Sequence, residues 1–72
     1  MIAATIFNDA VEIYLDDAGI DELVRELLSL RGQATHIHKM TPGWGGQELA
    51  ERVPHGDLVN HVIVYSNFPI SN

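Results

Sequence analysis

The chain contains no cysteine, so disulfides and thiolate metal sites are excluded as sources of stability or chemistry. It has little positive charge, with four Lys and Arg against ten Asp and Glu, for a net charge of −6. A chain of that sign repels phosphate backbones, which argues against nucleic-acid binding and favours a basic partner. No apolar run approaches the ~18 residues of a membrane span. The opening Met1–Thr5 lacks the basic segment of a secretory signal, which predicts a soluble, cytoplasmic protein. There is no phosphate loop, no dinucleotide fingerprint and no glycine-flanked nucleophile around Ser29, Ser66 or Ser71.

What remains is a single small domain over residues 1–72, 46% hydrophobic. A chain of this size buries only ~60% of its unfolded surface, so a second copy or a partner is expected to cover part of the apolar remainder.

Residues 2–15 read as a β-hairpin with Asn8-Asp9 as a two-residue turn. In that register Ile6 faces Val11, Ala4 faces Ile13 and Ile2 faces Leu15, which makes one side wholly apolar. Ala3, Thr5, Phe7, Ala10, Glu12 and Tyr14 take the other side. A helix follows from about Ala18 to Arg31, capped by Asp16 or Asp17 and ended at Gly32. Its apolar stripe (Ile20, Leu23, Val24, Leu27, Leu28) is expected to pack on the hairpin's apolar side. Asp21, Glu22, Arg25, Glu26 and Ser29 are left wet.

Residues 34–41 and 58–66 supply two further strands, joined by about sixteen residues. In that connection, 47–52 has the composition of a helical turn and 54–57 that of a tight turn. The expected fold is α+β, a four-stranded antiparallel sheet with one helix on one face, in the order β-β-α-β-β. Ile37, Val62 and Val64 are assigned to the covered face. The open face then holds His36, His38, Met40, His61, Ile63, Tyr65, Phe7 and Tyr14. So much apolar and aromatic surface, with unpaired sheet edges, predicts a homodimer.

The densest chemistry lies between His36 and Gly46. Alternation points both imidazoles of His36-x-His38 to one side, which is a metal-ligand spacing, and His61 is a third possible ligand. With no cysteine and no obvious carboxylate nearby, a half-buried interface is the preferred role for these rings, and no cofactor is expected. Trp44, before Gly45-Gly46, either anchors a partner or closes the end of the core; the small size of the domain favours closure. Glu48, Glu51, His55 and Asp57 could support acid–base chemistry only if they converged on a cleft, and their spacing does not require it. An enzyme is not expected.

The string His36-x-His38-x-Met40-Thr41-Pro42-x-Trp44-Gly45-Gly46-x-x-Leu49, with Asn60-His61-Val62-x-Val64-Tyr65, resembles the bacterial polymorphic-toxin immunity proteins of immunity family thirty-two. The resemblance covers about half the chain closely and the rest in layout. It implies a small cytoplasmic protein that neutralises a cognate toxin by direct contact, and it carries over no catalytic residue. The expected contact surface is Trp44, Gly45, Gly46, Glu48, Glu51, His55 and Asp57. The alternative is a small homodimeric module of another role, binding metal through His36, His38 and His61.

Overall fold

The computed structural model describes residues 1–69. Two strands, β1 (Ile2–Phe7) and β2 (Ala10–Leu15), form the expected hairpin. Asn8 and Asp9 both take positive φ, at 50° and 63°, the backbone of a two-residue turn whose twist matches the strands. Ile2 pairs with Leu15, Ala4 with Ile13 and Ile6 with Val11, as the apolar alternation dictates.

Helix α1 (Asp17–Ser29) follows, with the Asp16 carboxylate accepting from the Gly19 N–H at 2.8 Å as its N-cap. Gly19 is buried because α1 crosses the start of β1 there. A Cβ at this position would lie 2.0 Å from the Met1 carbonyl oxygen. After α1 come β3 (His36–Met40), a single 3₁₀ turn at Pro42–Trp44, β4 (Asp57–Leu58) and β5 (His61–Tyr65). The helical turn expected over 47–52 does not form. Instead the backbone there is tied strand by strand: the Leu49 N–H donates to Met40 C=O and the Ala50 N–H to Ile2 C=O.

The fold is α+β with antiparallel pairing throughout, but the sheet is divided. One sheet has the order β2-β1-β4, and the other is β3-β5. This corrects the single four-stranded sheet. The stretch expected as one strand over 58–66 breaks at Val59-Asn60. The Val59 N–H still donates to Ala4 C=O, while the Asn60 C=O already accepts from the Thr41 N–H. The Asn60 side chain is also engaged, accepting from the buried Thr41 hydroxyl at 2.7 Å. Asn60 therefore turns the chain from the first sheet into the second.

The second correction concerns the helix. Its inward residues are Gly19, Glu22, Leu23, Glu26 and the capping Leu30; Ile20, Val24, Leu27 and Leu28 point outward. Alternation in β3 puts Lys39 beside Ile37 on the covered side, and Lys39 is only 3% exposed. Its ammonium lies 3.0 Å from Glu22 and 2.6 Å from Glu26. A buried ammonium without counterions is too costly, so the Glu22–Glu26 row must turn towards it. That rotation carries the apolar stripe away from the hairpin, while Leu23 and Ile13 line a small apolar hollow of ≈60 Å³.

The buried apolar core is consequently small: Ile2, Ala3, Ala4, Leu30 and Leu49, joined by Thr5 and Thr41. β1 is covered on both faces at its first four residues, although the sequence suggested one open side there.

Candidate functional site

The open face of β3 and β5 carries a continuous row of rings. His36, His38 and Met40 alternate outward on β3, opposite Tyr65, Ile63 and His61 of β5. His38 and His61 are stacked at 5.0 Å between centroids, and His36 meets His38 edge-on at 4.7 Å. Tyr65 continues the row beyond His36 at 5.2 Å, and Phe68 follows at 5.8 Å. At the opposite end Trp44 lies 6.0 Å from His61. Six side chains thus run along one surface in the order Phe68, Tyr65, His36, His38, His61, Trp44.

Backbone bonds hold Trp44 in place while leaving its ring free. The Thr41 C=O accepts from the N–H groups of Trp44 and Gly46, at 2.9 and 3.0 Å, and Gly45 closes the turn at φ 92°. The indole itself is 59% exposed. The expectation that Trp44 closes the core is therefore corrected; in the same connection it is Leu49 that is almost fully buried.

His38 Nδ1 and His61 Nε2 are 2.8 Å apart, a hydrogen bond in which one ring donates and the other, neutral ring accepts. Two nitrogens on one tetrahedral zinc would stand roughly 3.3 Å apart, given Zn–N bonds of ~2.0–2.1 Å. Among the described residues no group of three or more His, Asp or Glu side chains is arranged to hold a metal ion. His36, His38 and His61 do come together as expected, but as stacked and hydrogen-bonded rings.

The residues expected at the contact surface divide into two groups. Trp44, Gly45, Gly46, Glu48 and Glu51 stay together, since the Glu51 carboxylate lies against Gly43 and that of Glu48 against Gly46. Glu48 is held below the usual carboxylate range by the backbone N–H of Gln47. His55 and Asp57 lie elsewhere. Asp57 pairs with Ile6 in β4. His55 stacks on Phe7 at 4.2 Å and donates from Nε2 to Glu12 at 2.6 Å.

Glu12 and Tyr14 are part of a cluster that sequence reasoning missed. The Tyr14 hydroxyl donates to Glu12 at 2.6 Å, and Thr5 donates weakly to the same oxygen at 3.4 Å. Tyr14 and His55 hold the Glu12 carboxyl below its ordinary value, and the carboxylate in turn raises the Tyr14 hydroxyl. This cluster latches the long connection to the hairpin. The signal was the i, i+2 placement of Glu12 and Tyr14 on one strand face; their partner His55, 41 to 43 positions away, carried no local mark. Phe68, just past the last strand, also went unmarked.

No helix among the described residues is long and apolar enough to cross a membrane. No protein-family model, curated protein or solved structure matches this chain.

Proposed function

We propose that this chain is a binding protein of the immunity type, which neutralises a cognate bacterial toxin in the cytoplasm by direct contact and performs no chemistry itself. The observation that carries the reading is the exposed row from Phe68 to Trp44. Rigid aromatic side chains on a strand-backed surface give large contact area with little ordering cost, and exposed tryptophan and tyrosine are characteristic anchors of protein interfaces. Beside the Tyr65 end is a hollow of ≈210 Å³ lined by Ala34, His36, Tyr65 and Phe68 among others, large enough to take a partner side chain. At the other end Glu48 and Glu51 flank Trp44 and suit a basic partner. The resemblance of the His36-to-Gly46 string to immunity proteins supports the same reading.

The test is co-expression with the product of a neighbouring toxin-like reading frame in a sensitive bacterium. Rescue of growth and co-purification are the expected results. Failure of both would overturn the immunity reading.

A further inference from the structure

A second surface, separate from the ring row, is left uncovered by the described residues. On β2, Val11, Ile13 and Leu15 share one side and are 68%, 55% and 36% exposed. On α1, Ile20, Val24, Leu27 and Leu28 form one stripe, each between 42% and 58% exposed. Between the two rows, Ile13 of β2 and Leu23 of α1 line the same apolar hollow. Large apolar side chains left bare in this way mark an interaction surface.

The helix stripe is self-complementary about its own centre. A two-fold axis places residue i of one copy opposite residue j of the other. Antiparallel pairing of α1 centred on Val24 sets Val24 against Val24 and Ile20 against Leu28. It also sets Asp17, in the first turn, opposite Arg31, just beyond the last. Both ends of such a pair then carry an opposite-charge contact, and the two helix dipoles oppose. A chain of net charge −6 can meet itself along this seam because Arg31 answers Asp17 at each end of it.

We infer that a second copy of this chain covers this face, with α1 packed antiparallel on α1 about a two-fold axis at Val24 and the Val11-Ile13-Leu15 rows flanking the pair. The dimer shields the stripe that rotation of α1 towards Lys39 exposed, and it leaves the ring row on β3 and β5 free.

Light scattering of the purified protein at tens of micromolar tests the assembly, with twice the 8.0 kDa chain mass expected. The absence of cysteine makes a site-specific test clean. Val24→Cys treated with a short bismaleimide should give a cross-linked dimer, whereas Glu51→Cys should not. Arg31→Glu should raise the dimer dissociation constant about tenfold or more, and adding Asp17→Arg should restore it. A monomer mass for the unaltered protein overturns the inference and assigns the face to another partner. A dimer in which Val24→Cys fails to cross-link, or in which Arg31→Glu has no effect, overturns the seam.

Discussion

Lys39→Met tests the feature that decides how the helix sits. Lys39 is almost wholly buried, and its ammonium bridges Glu22 and Glu26 at 3.0 and 2.6 Å. Burial lowers the proton affinity of the ammonium, but the two carboxylates outweigh it and hold Lys39 above its ordinary value, so it stays charged throughout the neutral range. Replacing it with methionine keeps the chain length and leaves two carboxylates facing each other without a counterion. Breaking a buried pair in this way costs ~3–5 kcal/mol. Here Glu22 and Glu26 are 38% and 33% exposed, so water screens part of the residual repulsion. A loss of ~2–3 kcal/mol is therefore expected. For a domain of this size that lowers the melting temperature by roughly 10–20 °C. The assay is urea unfolding at pH 7. The triple variant Lys39→Met, Glu22→Leu, Glu26→Leu should recover most of the loss, because a buried charge cluster exchanged whole for apolar side chains is close to neutral. If Lys39→Met alone leaves stability unchanged at pH 7, the charge cluster does not set the rotation of α1.

Gly19→Ala should destabilise the protein by ~1–3 kcal/mol in chemical denaturation, since its methyl would meet the Met1 carbonyl and force α1 off β1. Trp44→Ala should cost ~2 kcal/mol or more in partner binding, read by calorimetry. It should leave stability within the ~0.5 kcal/mol typical of surface changes, because Trp44 is largely exposed. The lowered Glu12 carboxyl gives the latch a defined pH dependence. Its contribution is fully present above the ordinary carboxylate value of 4.5 and is lost as pH falls through the lower folded value. Hydrogen exchange in residues 50–57 should accelerate over that acid range, and Glu12→Gln should remove the dependence.

The hairpin was legible to the residue because a two-residue turn and strict alternation admit one register, and a slip would have exposed every apolar side chain. The helix start was legible from Asp16, but the expected end at Arg31 ran two residues past Ser29, and the direction the helix faces was not legible. Periodicity reports which residues share a stripe; what that stripe meets depended on Lys39, a single charge on another element. The division of the sheet was hidden for a similar reason. Residues 58–66 have one strand-like pattern, and only the engagement of Asn60 by Thr41 interrupts it. At the candidate site, alternation correctly brought His36, His38, His61 and Tyr65 to one face. It could not show that Phe7 and Tyr14 belong to the other sheet, where they gather His55 and Glu12 instead.

The corner at Asn60 also bears on how the chain assembles in time. On one side β1 pairs within the hairpin, where Ile6 meets Val11 five positions later. On the other side Thr5 must find Leu58, which lies 53 positions along the chain. Loop-closure entropy makes the second pairing costlier by roughly 2 kcal/mol, since the cost rises as (3/2)RT times the logarithm of loop length. Hairpin and helix can form on microsecond timescales from local contacts alone. Until residues 50–59 arrive, the outer edge of β1 keeps the carbonyls of Ile2 and Ala4 unpaired. The rate of folding is then governed by the closure that brings Leu58 to Thr5, and the sheet edge most open to mispairing is exposed for as long as that closure takes.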